Sequence, residues 1–101
     1  MNMTSKQRAN LRGMASTIEP IFQIGKGGVS DELINQLAGA LELRELIKVR
    51  ILETAMLDTK ETANEVAARL KADPVQAIGS KFVIYKRANK EQHRKIELPK
   101  K

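Results

Sequence analysis

Residues 46–52, Leu-Ile-Lys-Val-Arg-Ile-Leu, alternate with a period of two. In an extended chain successive side chains point to opposite faces, so Ile47, Val49 and Ile51 share one side while Lys48 and Arg50 share the other. Such a segment needs a sheet whose apolar side is buried and whose cationic side is not sealed in a core. The flanking sequence therefore has to supply both the neighbouring strands and the cover for one face.

Thr4-Ser5-Lys6-Gln7 has the capping-box pattern, a hydroxyl followed three residues later by Gln. Leu11, Met14, Ala15 and Ile18 then recur at the spacing of a buried helical stripe, with Arg8 and Arg12 one turn apart beside it. Pro20 ends this helix, because the residue before a proline is pushed out of the helical region. Ile21-Phe22-Gln23-Ile24 reads as a short strand closed by Gly25-Lys26-Gly27-Gly28. Ser30 caps a second helix, with Asp31 and Glu32 in its first turn and a core face of Leu33, Ile34, Leu37, Ala38 and Leu41. Asp58 and Glu61 form another capping-box pattern, opening a helix with Ala63, Val66, Ala67 and Leu70 inward and Asp73-Pro74 as its stop. Val75–Ile78 and Lys81–Lys86 are two strands joined by Gly79-Ser80, where glycine first predicts a type II′ hairpin.

The predicted order is α-β-α-β-α-β-β, an α/β single domain around a four-stranded mixed sheet packed with helices. Beyond Ala88 the chain is polar and charged, with only Ile96 and Leu98 apolar. We therefore expect a domain over residues 1–88 and a basic, mobile tail or weak helix over 89–101.

At 101 residues the chain can form one core without staples. It has no cysteine and a single histidine, which excludes a disulfide scaffold, a thiol nucleophile and any Cys-based or multi-histidine metal site. No apolar run approaches the roughly 20 residues that span a bilayer, and the first residues lack the apolar stretch of a signal peptide. The expected location is the cytoplasm. Eighteen Lys and Arg oppose twelve Asp and Glu, a net charge of +6, unevenly spread. Residues 1–29 carry four basic and one acidic side chain, residues 30–75 six and nine, and residues 76–101 eight and two. Two basic ends around an acidic middle suit a polyanion such as nucleic acid; they equally describe a charged surface with a frayed basic end.

Gly25-Lys26-Gly27-Gly28 is the sharpest local feature. Glycines remove the bulk that holds a ligand off, and the helix after the loop opens with unsatisfied N–H groups that attract phosphate. A G-x-x-G loop clamping a nucleic-acid backbone is one use of such a turn, and plain strand-to-helix geometry is the other. The Walker A spacing is absent, and the third glycine of the dinucleotide fingerprint would fall on Ser30. The KH order is also wrong, since that loop joins two helices. With Phe22, Phe82 and Tyr85 the only aromatics, an RRM-type stacking sheet is not expected. His93 reads as a solvated residue between Gln92 and Arg94. The serines lie at caps, helix surfaces and turns without a base, so no catalytic constellation, cofactor, metal or small-molecule substrate is expected. Lys48 and Arg50 are either an ordinary solvated face or, with Gln23 and the basic end of the last strand, part of a binding surface.

Four segments together resemble one family: Thr4-Ser5-Lys6-Gln7-Arg8 with Leu11-Arg12; Pro20 to Gly28; Glu45-Leu46-Ile47-Lys48-Val49; and Ile78-Gly79-Ser80-Lys81-Phe82-Val83-Ile84-Tyr85. The chain resembles the CRM domain (chloroplast RNA splicing and ribosome maturation), specifically its bacterial single-domain YhbY type, over residues 4–87. The resemblance implies a fold similar to the C-terminal domain of translation initiation factor three. It implies a non-enzymatic RNA-binding protein acting in large ribosomal subunit maturation, with structured RNA, ribosomal or pre-ribosomal, as its partner. The family's RNA-contacting loop falls on Gly25, Lys26, Gly27 and Gly28. We group with it the cations Lys6, Arg8, Arg12, Lys48, Arg50, Lys86 and Arg87. The family commonly closes its last strand with Tyr-Arg-Pro, whereas this chain has Tyr85-Lys86-Arg87-Ala88. The rival readings are an adaptor whose basic face meets an acidic protein and, with no strongly basic helix in its favour, a DNA-binding domain.

Overall fold

The computed structural model describes residues 3–99. Its elements are α1 (Ser5–Ala15), β1 (Pro20–Ile24), α2 (Asp31–Arg44), β2 (Leu46–Ile51), α3 (Thr59–Leu70), β3 (Asp73–Ile78) and β4 (Lys81–Tyr85), with 3₁₀ turns at Glu53–Ala55 and Glu91–His93. The strands form one sheet in the order β1-β2-β4-β3. β1 and β2 run parallel, and the other two pairings are antiparallel. The element order and mixed sheet match the sequence expectation.

The placing of β4 between β2 and β3 has a readable cause. Phe82, Val83, Ile84 and Tyr85 are all buried, so this apolar run needs cover on both faces. β3 contains Pro74, which cannot donate to a ladder and suits an edge. The hairpin turn takes the predicted form: Gly79 has φ +60°, Ser80 does not have positive φ, and Ile78 pairs with Lys81.

The helix starts obey their caps. Thr4 Oγ1 accepts from Gln7 N at 3.1 Å and Gln7 Oε1 accepts from Thr4 N at 3.1 Å, completing the box. Ser30 Oγ accepts from Leu33 N at 3.1 Å. Asp58 Oδ2 accepts from Glu61 N at 2.9 Å, but the reciprocal bond from the Glu61 side chain is not made, so only half of that box forms. α1 stops at Ala15 rather than continuing to Ile18, which lies just beyond it in a tightened turn.

Helices α2 and α3 cover one face of the sheet. Leu33, Leu37, Leu41, Val66 and Leu70 pack there with Ile24, Ile47, Val49, Ile51, Phe82 and Ile84. Each fully buried Leu or Ile contributes about 1.5–3 kcal/mol relative to exposure. Ala38, expected on this face, is exposed; Ala40 packs on the core instead. On the opposite face α1 buries Leu11 and Ala15 against Leu46, Val75, Val83 and Tyr85. It covers the end of the sheet where Asp73, Leu46 and Tyr85 align and reaches one row further at Val83, short of the Arg50–Lys81 row.

The C-terminal segment after β4 corrects the expectation of a mobile tail from residue 89. Glu45, wholly buried at the α2–β2 junction, accepts through its carboxylate from Ala88 N (2.8 Å), Lys95 N (2.6 Å) and Ile96 N (3.0 Å). Glu42 accepts from Asn89 N (2.7 Å) and Lys90 N (3.1 Å), and its Oε2 lies 2.6 Å from His93 Nδ1. His93 is thus partnered rather than solvated. Ile96 and Leu98 pack beside α1, and Gln7 Nε2 donates to Pro99 O at 2.8 Å. The sequence concealed this because the tail's anchors are backbone N–H groups, which every sequence contains. Lys100 and Lys101 lie outside the described residues.

Burial alone would raise the Glu45 pKa, but its three backbone donors and the nearby Arg87 charge hold it below the ordinary carboxylate value. Glu42 is lowered from 4.5 to about 2, chiefly by the His93 hydrogen bond and then by the Asn89 and Lys90 amides. Truncation after Asn89 removes two of the Glu45 donors and the Ile96 and Leu98 contacts. Hydrogen bonds to a charged group are worth about 1.5–3 kcal/mol each, and about 1 kcal/mol moves Tm by 4–8 °C in a domain of this size. We expect a fall in Tm of at least about 10 °C by calorimetry; an unchanged Tm would mean that the tail adds nothing to the fold.

The acid response has a defined sign. Because both folded-state pKa values are depressed, their stabilisation is complete above the unfolded value near 4.5 and is lost as pH falls from there toward about 2. The protection of the Asn89, Lys90, Lys95 and Ile96 amides, measured relative to the intrinsic exchange rate at each pH, should therefore fall across that window, ahead of that of Val49 and Phe82 in the core. Loss of tail protection already above pH 5 would contradict the carboxylate account.

Candidate nucleic-acid interface

The parallel pair β1–β2 ends at Ile24 and Ile51, and the β3–β4 hairpin turns at the same end of the sheet. Leu52 N continues the pairing to Ile24 O at 2.8 Å, and Ile51 N reaches Ser80 O at 2.7 Å. This end gathers the glycine loop, the segment after β2 and the hairpin tip. In open α/β sheets ligands gather outside the carboxyl ends of the strands.

Within the loop, Gly28 N donates to Gly25 O at 2.9 Å, making a tight turn that leaves Gly28 at φ +69°. Gly28 is therefore required by backbone conformation. A Cβ on Gly25 would meet Leu52 Cδ1 at 3.6 Å, an ordinary contact. Gly27 differs: its φ is outside the left-handed region and a Cβ there would meet nothing within 4 Å. Nothing in the fold accounts for the missing side chain at Gly27. Lys26 is exposed beside it. The N–H groups of Lys26 and Gly27 have no backbone acceptor among the described residues.

The start of α2 is less free than the sequence suggested. Ser30 already caps it, and Asp31 and Glu32 add negative charge to the first turn. Asp31 is engaged by Arg69 at 2.5 Å, so part of that charge is matched locally. The anion-attracting groups are consequently Lys26 and the loop amides more than the helix end itself.

The uncovered half of the α1-side face adjoins this loop. Gln23 is level with Arg50, Arg50 with Lys81, and Lys81 with Ile78, forming one row across all four strands. The next row places Lys48 opposite Val83. Arg50 and Lys81 are exposed and Lys48 is half-buried. Among the described residues only Arg69–Asp31 and His93–Glu42 form ion pairs, so Lys26, Lys48, Arg50 and Lys81 face outward unpaired. Lys81 was not singled out from the sequence; its place beside Arg50 depends on the β2–β4 register, to which no local pattern points.

The remaining predicted cations lie elsewhere. Lys86 and Arg87 come after β4 at the far end, about 17 Å from the hairpin tip at ~3.4 Å per residue. There Lys86 N donates to Glu45 O at 2.9 Å, and the Arg87 charge acts on the Glu45 carboxylate. Arg8 is half-buried, and its Nε is buried without a partner. Burial raises the Asp73 pKa, and the Arg8 charge acts in the opposite sense, which sets Arg8 beside the start of β3. Lys6 and Arg12 are exposed on α1. The structure thus unites the loop with Lys48 and Arg50, and separates both from Arg8, Lys86 and Arg87. Among the described residues no cluster of His, Cys, Asp or Glu could hold a metal ion, and no helix is long and apolar enough to cross a membrane.

Comparison with known proteins places this geometry in context. A family model described as the CRS1 / YhbY (CRM) domain matches residues 3–86. The chain is 43% identical over 97 residues to the Probable RNA-binding protein YqeI of Bacillus subtilis, covering 96% of this chain and 99% of that protein. It is 32% identical over 100 residues to a protein named RNA-binding protein from Haemophilus influenzae, covering 98% and 97%. The solution structure of the hypothetical protein SAV1595 from Staphylococcus aureus superposes with a TM-score of 0.76 at 40% identity, covering 97% of this chain and 100% of that one. With a family model spanning most of its length and relatives matched nearly end to end, the chain belongs to the CRS1 / YhbY (CRM) domain family.

Proposed function

We propose that this protein binds structured RNA by its phosphate backbone, using the Gly25–Gly28 loop and the unpaired cations of the open sheet face. The observation that carries this reading is Gly27. The fold asks for no glycine there, yet the position leaves open space beside Lys26 and two unbonded amides, the arrangement that lets a phosphate approach the main chain. Lys48, Arg50 and Lys81 extend the same field along the sheet. Family membership and the names of the relatives support RNA as the polyanion.

Base stacking on aromatic rings has little part in this reading. Phe82 and Tyr85 are buried, and Phe22 packs toward the α2–α3 core. Recognition then depends on backbone shape, as is common for structured RNA. By the CRM resemblance, the RNA is that of the large ribosomal subunit or its precursor, and the role is maturation without catalysis in the cytoplasm. Cross-linking in cells and then sequencing the attached RNA should recover large-subunit ribosomal RNA, and recovery of messenger RNA alone would overturn that assignment.

A second reading has one observation in its favour. Met56 and Ile78 are 91% and 67% exposed, on the segment after β2 and on β3 beside the hairpin. Such residues suit a protein neighbour, as an adaptor would have. An acidic protein that displaces RNA completely would favour this reading.

The loop is tested by replacing Lys26 and Gly27 together with Asp. Gly27 has no positive φ and no crowding, so the double variant should keep its Tm within a few degrees. Losing charge-assisted contacts of about 1.5–3 kcal/mol and adding repulsion should weaken RNA binding at least about tenfold. Unchanged affinity in the folded variant would leave the loop as a turn and nothing more. The logarithm of affinity should also fall linearly with the logarithm of salt, by about 0.7 per phosphate contact for single strands. A flat salt response would exclude phosphate contact as the source of affinity.

A further inference from the structure

A second surface joins this track. Between the last turn of α1, strand β2 and the docked tail lies an open groove of about 570 Å³, within the roughly 300–1,000 Å³ typical of small-ligand sites. Met14, Ile18 and Ile96 are half-buried in its lining and Leu46 is buried. Arg44, Lys48 and Lys95 supply three cations to the same lining, none in an ion pair among the described residues, against the single carboxylate of Glu19.

We infer that this groove receives one unpaired RNA base, with Arg44, Lys48 and Lys95 holding the phosphates on either side of it. The inference rests on the RNA-binding reading above and adds to it a place for a base. An apolar lining with three cations fits an occupant that is flat and apolar in the middle and anionic on both flanks, which describes a nucleotide within a strand. Continuity points the same way. Lys48 belongs both to the groove and to the open face, and Arg50 stands two residues further along β2, level with Lys81. From Lys48 to the end of β2 is about 10 Å at ~3.4 Å per residue, and the glycine loop begins there. A strand that leaves the groove over Lys48 would pass Arg50 and reach Lys26 without crossing an acidic row. Aliphatic contact would take the part that aromatic stacking plays elsewhere, since the aromatic rings of this chain are turned to its cores.

Two RNA probes of equal base-pair count separate the outcomes: a hairpin with a five-uridine loop carrying one 4-thiouridine, and a blunt, fully paired duplex. The hairpin should bind more tightly than the duplex, and the thiouridine should cross-link to peptides containing residues 14–18 or 95–96. Replacing Arg44 and Lys95 by Ala leaves the Lys95 amide free to bond Glu45 and removes two exposed side chains, so the melting curve should not move. Hairpin affinity should drop five- to tenfold, its salt slope should fall by about 1.4, and its advantage over the duplex should vanish. Should that variant prove less stable, the wild-type cross-link map alone decides. Cross-links confined to residues 25–28, with hairpin and duplex bound equally, would overturn the groove while leaving the RNA-binding reading intact. If neither RNA binds at physiological salt, the RNA-binding reading falls with it. Protection of residues 14–18 from exchange by an acidic amphipathic peptide, and not by the hairpin, would assign the groove to a protein instead.

Discussion

The buried carboxylate of Glu45 is the constraint on which the shape of the exposed surface depends. The residue ends α2 at positive φ, 65°, with ψ −34°, a sparsely populated backbone region that costs a non-glycine residue about 1–3 kcal/mol. Its backbone N–H donates to Leu41 O at 2.8 Å and its carbonyl accepts from Lys86, so it joins helix, strand and the exit of β4 at one point. The side chain then gathers three amides of the C-terminal segment. A charge left without those donors in a wholly buried position would be strongly destabilising, by about 3–5 kcal/mol. The same contacts bring Ile96 and Leu98 beside α1, where they finish the smaller core.

That closure determines which half of the sheet stays open. α1 and the tail cover Leu46, Tyr85, Val75 and Val83 at one end, and the row of Arg50 is left at the other, with Lys48 half-buried at the border. The glycine loop leaves β1 at that open end because β1 runs parallel to β2 and both finish together. One topological fact, the parallel pair at the sheet edge, thus brings the glycine turn beside a row of unpaired cations. In the proposed reading affinity arises from this juxtaposition, and three acids of the middle segment are already engaged within the fold. Glu42 and Glu45 hold the tail, and Asp31 is engaged by Arg69.

The elements were legible where a local pattern carries its own physical cause. The caps at Thr4, Ser30 and Asp58 and the hairpin glycine at Gly79 are each satisfied by neighbours within a few residues, the period-two run of β2 shows its two faces within its own length, and each reappears in the structure. Features that depended on distant partners were not legible. Glu45 reads as one more polar residue before a strand; its partners lie 43 to 51 positions away and are main-chain groups. Lys86 and Arg87 are close in sequence to the hairpin yet stand at the opposite end of the sheet, because β4 carries the chain away from it. Lys81 joins Arg50 only through the antiparallel register. Ile18 fits the helical stripe of α1 but lies past its end, since Ala15 closes the helix before Pro20 can restrict it. Glycine content marks the turn between β1 and α2, while only the structure separates Gly28, held by its φ, from Gly27, which the fold leaves unexplained.

The most direct test of this account is a map of where RNA touches the folded chain. Amide chemical shifts of the full-length protein, tracked while a ribosomal RNA hairpin is titrated in, give that map residue by residue. The account predicts that the largest changes fall on residues 23–31, on Lys48 to Arg50 and on Ser80 to Lys81, which only the fold brings together. Changes confined to Lys86, Arg87 and the segment beyond, with the amides of Lys26 and Gly27 unmoved, would contradict it.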